Sequence, residues 1–263
     1  MVGLIAGLAE AGIDLSAADS VVGTSAGSVV GALLRTGVAP ADMLARQVDP
    51  EMQSAEVFAA VDLDDMAARF GAAMADASTP EQVRAAIGAM ALATETVPES
   101  VRRAVLSSRL PEQVWPERLR VTAVDAISGE LAVFDRTCPH ALVDVVAASC
   151  AVPGIWPPVT LGERRYIDGG VRTALNADLV AGADVVLVLA PLGVVGSGPL
   201  SAGLDDALPL LAPASVHAVV PDADSVVAMG NNPLDPATRA PAARAGRAQA
   251  AAEVDAVGQL WTA

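Results

Sequence analysis

Two short segments carry side chains that could act together as a nucleophile and a base. The first is Gly23-Thr24-Ser25-Ala26-Gly27, a Gly-x-Ser-x-Gly pattern between a short apolar segment and a helix-like one. Small neighbours would let a strand and a helix approach closely and leave the serine hydroxyl exposed at the helix N-terminus, where the dipole favours developing negative charge. A nucleophile elbow is therefore predicted at Ser25, and a tight turn that serves packing alone is the alternative.

The second segment supplies an acid. Tyr166-Ile167-Asp168-Gly169-Gly170 places a carboxylate at the end of a predicted strand and follows it with two glycines. The glycines let neighbouring backbone come close and leave the carboxylate accessible. Asp-Gly is also a common turn dipeptide, so a purely structural turn is the alternative for Asp168.

A serine nucleophile needs a base, which is usually a histidine oriented by a carboxylate. The sequence has two histidines. His140 lies at a predicted helix start, and His217 lies on a predicted strand with no acidic motif beside it. A Ser-His triad is therefore the less favoured interpretation, and both histidines fit core or surface positions.

The composition excludes several kinds of chemistry. All 16 basic residues are arginine, so mechanisms that need a lysine are excluded: a P-loop, a pyridoxal phosphate Schiff base or a Ser-Lys dyad. Two histidines cannot build a three-histidine metal site, and no acidic loop has EF-hand spacing. We therefore expect no metal and no organic cofactor. The missing lysines suggest a GC-rich bacterial coding sequence.

The net charge of −15 bears on partners. It argues against nucleic acid, which requires a basic patch, and against electrostatic docking on anionic lipid. Neutral or zwitterionic substrates and transient contact with a lipid surface stay compatible with this charge.

The cysteines, the first residues and one long uncharged segment bear on where the protein is located and whether it crosses a membrane. Cys138 and Cys150 form no CxxC pair and are expected to be reduced thiols, and the first residues lack the basic region of a signal peptide, so a cytoplasmic protein is expected. Residues 185–204 are uncharged but contain Pro191 and Pro199. We predict a fully buried strand followed by a loop there, not a membrane span.

Hydrophobic patterning predicts the elements that position these segments. Between the helices and strands we find no linker, so a single α/β domain over residues 1–263 is predicted. Thr79 should cap one helix, with Gln82 completing a capping box, and an apolar face on Leu63, Met66, Phe70 and Met74 should be core or a wall of an apolar site. The predicted helices are 2–12, 28–37, several within 40–110, 141–151 and one from Asp235-Pro236 to about Trp261; the predicted strands are 19–22, 119–127, 130–135, 164–170, 183–191 and 215–222.

Taken together, the chain resembles the patatin-like phospholipase family. GTSAGS and the later DGG match the two diagnostic motifs of that family. Other segments follow in family order: AEAGIDL (9–15), VVGTSAGSVVGALL (21–34), TAVDAISGELAVF (122–134), AASCAVPGIWPPV (147–159), RRYIDGGV (164–171) and GADVVLVLAP (182–191).

The resemblance implies both a fold and an activity. The implied fold is a three-layer α/β/α sandwich around a mostly parallel sheet, with the elbow after a short central strand. The implied activity is lipid acyl or ester hydrolysis by a Ser-Asp dyad without histidine, in which Ser25 is the nucleophile and Asp168 the general base. Arg172 and Asn176, just past the glycine turn, would line the site or stabilise the loop.

The chain departs from the family at its beginning. Family members carry a strand and a glycine-rich oxyanion loop before the first helix, whereas here a helix is predicted from residue 2, with Gly3 and Gly7 spaced for packing. We expect that about one strand and one loop are missing, which leaves the Ala26 N–H as an oxyanion donor. A non-catalytic interaction or regulatory relative and an acyltransferase are the alternative functions.

Overall fold

A computed structural model describes residues 1–57, 63–112, 114–194, 203–232 and 234–261. Within them, helices and strands alternate in a mixed α/β architecture, as predicted. The helices are α1 (Val2–Glu10), α2 (Ala26–Arg35), α3 (Pro40–Val48), α4 (Leu63–Met74), α5 (Pro80–Ala93), α6 (Glu99–Arg109), α7 (Leu142–Ser149), α8 (Leu204–Leu211), α9 (Ala223–Met229) and α10 (Arg239–Trp261).

The strands form two sheets. In the larger sheet β2 pairs with β1 in parallel and with β3 and β5 in antiparallel, and β4 pairs with β5 in antiparallel; the smaller sheet is the parallel pair β6–β7. The strands are β1 (Val21–Thr24), β2 (Leu119–Asp125), β3 (Leu131–Phe134), β4 (Val159–Leu161), β5 (Arg164–Asp168), β6 (Val185–Leu189) and β7 (Ser215–Val219).

The elbow strand differs from its prediction in extent and position. It begins two residues later than predicted and continues through Gly23 and Thr24, because its ladder with β2 pairs Val21–Thr24 with Leu119–Thr122. Within the described residues β1 pairs with β2 alone, so it is an edge strand of its sheet and not the predicted central strand.

The core lies mainly between β2 and two helices, α2 and α7. α7 is buried along its length, which fits its nearly continuous apolar sequence. It packs on β2 and β5, and α2 packs on β1 and β2. This packing fixes the ends of β1 and β5 against a rigid helix layer.

The packing role expected of Gly3 and Gly7 is confirmed. A Cβ on Gly3 would lie 1.9 Å from the Ala243 carbonyl oxygen, and one on Gly7 would lie 2.4 Å from the Ala250 Cβ. Both contacts are with α10, so the first and last helices of the described chain pack closely through these glycines.

The capping prediction at α5 is half right. Thr79 Oγ1 accepts the Gln82 N–H at 3.2 Å, as predicted, but Gln82 Oε1 accepts the N–H of Ser78 at 2.8 Å, one residue earlier than in a capping box. Of the predicted apolar face on α4, Met66, Phe70 and Met74 line the large cavity discussed below; the Leu63 side chain lies outside the described ones.

The uncharged run at 185–204 begins with a strand, β6, as predicted. Its residues alternate between buried and half-buried, so the prediction of full burial is wrong; the strand lines the large cavity. Residues 195–202 lie outside the described ones. In the described chain, no helix combines the length and apolarity needed to cross a bilayer.

Candidate active site

The sheet brings the ends of β1 and β5 together on one edge of β2. Thr24 lies opposite Thr122 and Asp168 lies opposite the next residue, Ala123. β3 occupies the other edge, because it pairs with those same β2 residues. Since β1 runs parallel and β5 antiparallel to β2, their carboxyl ends point toward each other, which makes Ser25 and Asp168 neighbours.

Ser25 occupies a strained backbone conformation, with φ 52° and ψ −126°. Non-glycine residues with positive φ are uncommon and cost about 1–3 kcal/mol where the region is sparsely populated. Two buried serines hold the turn: Ser149 Oγ accepts the Ser25 N–H at 2.9 Å, and Ser28 Oγ donates to the Ser25 carbonyl oxygen at 2.6 Å. The serine side chain is thereby fixed between β1 and α2.

Close packing explains some of the motif glycines. A Cβ on Gly23 would lie 2.5 Å from Ser28 Cα, and one on Gly169 would lie 2.3 Å from Thr122 Oγ1. No described atom lies within 4 Å of a Cβ built on Gly27. The expectation that both elbow glycines serve strand-helix approach therefore holds for Gly23 and is wrong for Gly27, which faces the cavity.

Asp168 is buried and only partly hydrogen-bonded. Its side chain Oδ1 accepts the Gly170 N–H at 2.7 Å, and its own N–H donates to the Ala151 carbonyl oxygen at 3.0 Å. Burial raises the pKa of this carboxyl from 3.8 to about 6, although hydrogen bonding from the Ser25 side chain and the Gly170 N–H opposes the rise. The group can therefore exchange a proton near neutral pH.

The second carboxylate oxygen of Asp168 is the free one. Within the described residues Oδ2 is buried and has no partner that satisfies full hydrogen-bond geometry. The Ser25 side chain is nevertheless close enough to lower the pKa of the carboxyl. An unsatisfied buried oxygen costs free energy unless something donates to it, so a nearby proton donor is favoured.

A polar network next to Ser25 and Asp168 connects β1 and β2 to the turn after β5. The Asn176 amide nitrogen donates to Thr24 Oγ1 at 3.0 Å and to the Thr173 carbonyl oxygen at 2.8 Å, and Thr24 Oγ1 lies 2.8 Å from Thr122 Oγ1. Arg172 donates to Asn176 Oδ1 at 2.9 Å and pairs with Asp178 at 2.7 Å. Arg172 and Asn176 thus stabilise the loop, and Asn176 also lines the cavity beside Ser25 and Asp168.

Sequence reasoning missed Ser149 and Thr122. Both are polar, fully buried residues within otherwise apolar elements. That pattern was a usable signal, because a buried hydroxyl requires a hydrogen-bond partner. The hydrogen-bond partners of Ser149 and Thr122 lie far away in the sequence, so the pattern alone could not identify them.

A large cavity of about 2250 Å³ opens beside Ser25 and Asp168. Typical small-molecule sites measure roughly 300–1,000 Å³, so this one has room for a bulky ligand. Strand β6 forms part of one wall and the free edge of β1 another. Motif residues that line it are Thr24, Ser25, Ala26, Gly27, Asp168 and Gly170.

The histidines lie elsewhere. The His140 ring contacts Phe134 edge-on, and His217 Nε2 lies 2.9 Å from Glu253 Oε2 on α10. Neither belongs to the described lining of the cavity. His217 has no acidic motif beside it in the sequence, but Glu253 approaches it from a distant part of the chain.

The two cysteines and the other potential metal ligands are further candidates for reactive groups. Cys138 and Cys150 are free thiols, and Cys150 is buried beside Ser28, at 3.8 Å from its Oγ. Across the ranges that the structure describes, no three histidine, cysteine, aspartate or glutamate side chains cluster in a way that could hold a metal ion.

Comparison with known proteins agrees with this geometry. A search of curated proteins found no match. The family model described as patatin-like phospholipase matches residues 1–181, which include the serine turn, β2 and the Asp-Gly-Gly turn. With more than half of its length matched, this chain belongs to the patatin-like phospholipase family.

Proposed function

We propose that the protein is a serine acyl hydrolase that cleaves carboxylic esters of lipids through Ser25 and Asp168. The observation that carries this proposal is the meeting of a strained, partly exposed serine with a buried carboxyl group beside a large cavity. Membership of a family of lipid acyl hydrolases supports the same reaction class.

In the first half of the reaction Asp168 acts as the base. With a pKa of about 6, about nine in ten carboxyl groups are ionised at pH 7. Ser25 Oγ forms a bond to the ester carbonyl carbon as its proton passes to Asp168. The carbonyl electron pair moves to oxygen, the bond to the alcohol breaks, and the proton leaves with the alcohol.

In the second half, Asp168 activates water. Water adds to the acyl-enzyme carbonyl and gives its proton to Asp168. The bond to Ser25 Oγ then breaks, the acid departs, and the proton returns to the serine oxygen. The cavity beside the dyad gives an acyl chain room to lie against apolar side chains such as Met66, Phe70 and Trp156.

The oxyanion needs hydrogen-bond donors. Ala26 is the first residue of α2, so its N–H has no intrahelical acceptor, and it lines the cavity beside Ser25. One lost donor typically lowers kcat by about 10²–10³-fold.

The test is labelling by a fluorophosphonate probe together with hydrolysis of a p-nitrophenyl acyl ester. Ser25→Ala should abolish labelling, and Asp168→Asn should lower kcat by about 10³-fold or more. Ser78→Ala, which changes an exposed serine away from the cavity, is the matched control. Labelling that survives in Ser25→Ala, or wild-type turnover in Asp168→Asn, would refute the dyad. An unlabelled, inert wild type would favour a non-catalytic interaction protein.

A further inference from the structure

Three arginine side chains surround one buried glutamate at the wall of the large cavity. We call Arg102, Arg109 and Arg239 the arginine cluster. Arg102 Nη1 lies 2.7 Å from Glu56 Oε1, Arg109 contacts the other carboxylate oxygen, and Arg239 Nη2 lies 3.9 Å from that same oxygen. The three arginine side chains are 6%, 24% and 14% exposed, and that of Glu56 is 10% exposed.

The cluster holds more positive charge than Glu56 can balance. Three guanidinium groups against one carboxylate leave an excess of 3 − 1 = 2 positive charges, in a protein whose net charge is −15. Burial lowers the pKa of all three arginines, which reflects the cost of charge away from water. In the described part of the chain, the Arg102 Nε is buried without a hydrogen-bond partner.

The cluster shares the cavity with the proposed dyad. All three arginines and Glu56 line it, as do Ser25 and Asp168. Cys150 also lines this cavity, and its thiol is influenced by both groups: burial and Asp168 raise its pKa, to about 11, against the opposing effect of Arg102 and Arg109.

The position of Arg102 is fixed by stacking. Its guanidinium carbon lies 3.9 Å from the centre of the Trp156 ring, which is itself buried and lines the cavity. Guanidinium groups bind the oxygens of phosphate in a planar, often bidentate arrangement. The stacking therefore holds the Arg102 guanidinium at the cavity wall, with Nη1 on Glu56 and Nε unpaired within the described residues.

We propose that the arginine cluster binds the phosphate of a lipid ester whose headgroup is a phosphate monoester, while the acyl bond of that lipid lies at Ser25. A phosphate monoester carries about −1.5 to −2 charges at pH 7, which matches the excess of the cluster. A carboxylate is a poorer match, because Glu56 already supplies one. This inference rests on the proposed hydrolase function for the cleavage step, but the binding step is independent of it.

The first experiment compares a phosphatidate with a diacylglycerol of the same acyl chains, both in neutral detergent micelles. We expect kcat/KM to favour the phosphatidate by at least tenfold. Arg109→Gln/Arg239→Gln should reduce phosphatidate turnover by about 100-fold and diacylglycerol turnover by less than threefold, since about tenfold per charge-assisted hydrogen bond is expected. This variant leaves the Arg102–Glu56 pair intact, so no buried carboxylate is left unpaired.

Two variants control for charge and for structure. Arg118→Gln/Arg136→Gln removes the same charge from exposed positions and should leave the lipid preference unchanged. Glu56→Gln raises the excess from 2 to 3 and should preserve or increase the phosphatidate preference. If the cluster only stabilised the fold, Glu56→Gln would damage the preference and the thermal midpoint as much as the double arginine variant does.

Binding to Ser25→Ala separates this inference from the hydrolase proposal, since it needs no turnover. Ser25→Ala should bind phosphatidate micelles more tightly than diacylglycerol micelles. Adding Arg109→Gln/Arg239→Gln should abolish that difference in affinity, even if the wild type proves inert. Inorganic phosphate is a second probe: its binding is measured as a rise in the midpoint of thermal unfolding at fixed ionic strength. Equal affinity for the two lipids overturns the inference, as does arginine-dependent stabilisation by inorganic phosphate without any lipid preference, which would indicate a site for free phosphate.

Discussion

Asp125 and Asp168 end adjacent strands of one sheet and are both nearly inaccessible to solvent, 6% and 5% exposed, yet their pKa values move in opposite directions. Burial raises the pKa of Asp125, but N–H groups of Ser128 and Ile127 and the Arg164 guanidinium more than offset it, so the net pKa is lowered. At Asp168 the offset is smaller, and the pKa is raised to about 6.

The difference lies in how deep each carboxyl group is in the protein and in the partners that each turn supplies. The hairpin after β2 directs two backbone N–H groups at one oxygen of Asp125, at 2.9 and 3.0 Å, and Arg164 lies 3.2 Å from the other. The turn after β5 directs a single backbone N–H at Asp168, and no ion pair reaches it in the described residues. A buried carboxylate with few hydrogen-bond donors and no ion pair keeps a raised pKa, which suits it to proton transfer.

The largest effect is expected from Gly169→Ala. The new Cβ would lie 2.3 Å from Thr122 Oγ1 and 2.7 Å from the Thr122 carbonyl oxygen, so backbone must move. We expect a loss of about 3 kcal/mol or more in the free energy of unfolding and loss of esterase activity. Urea denaturation measures the first, with Gly27→Ala as control, where no described atom would be contacted. Similar costs for the two variants would show that the turn is not sterically specified.

Next in size is the pH dependence of stability, which should have opposite signs at the two aspartates. The pKa of Asp168 is higher when folded than its ordinary 3.8, so its contribution is fully present below about pH 4 and lost as the pH rises through about 6. The two-unit shift corresponds to about 3 kcal/mol. Asp125, with a lowered pKa, contributes stability above its ordinary pKa that is lost on acidification.

Unfolding free energies of the wild type, Asp168→Asn and Asp125→Asn between pH 3 and 8 test this contrast. Relative to the wild type, Asp168→Asn should gain stability as the pH rises from about 4 to 6, and Asp125→Asn should lose it as the pH rises from acid. If both variants changed in the same direction, the two carboxyl environments would not differ as described.

A smaller effect is expected from Ser149→Ala. It removes the acceptor of the Ser25 N–H and leaves the turn to hold its positive φ without that hydrogen bond. We expect about 1–2 kcal/mol of destabilisation and about a tenfold lower kcat with little change in KM. Steady-state kinetics on the acyl ester measure this, and Ser149→Thr should retain more activity than Ser149→Ala.

The smallest effect is expected from the histidines. His140→Gln and His217→Gln should each leave kcat/KM within about twofold of the wild type, because neither side chain lines the described cavity. A loss of 100-fold or more in either variant would revive a Ser-His mechanism and with it the acyltransferase alternative.

Local sequence patterns predicted the turns well because each turn depends on residues close in the chain. The hairpin at Ser128-Gly129 and the Asp235 cap both follow from local sterics and hydrogen bonding. Failures occurred where the partner is distant. The partner of His217 is Glu253, and the arginine cluster joins residues 56, 102, 109 and 239. The capping box at Thr79 is an exception, because it failed locally, by one residue.

The sequence by itself determined that a serine would lie at a tight strand-to-helix junction and an aspartate at a strand end before two glycines, because small residues and local backbone sterics specify such turns. Only the tertiary structure decided that the two strand ends meet on one edge of β2 and that Asp168 is buried with few hydrogen-bond donors. How deeply a side chain is buried and which charges lie near it depend on neighbours that come from remote parts of the chain. For that reason the proton affinity of Asp168 and the excess charge of the arginine cluster could not be predicted from either motif.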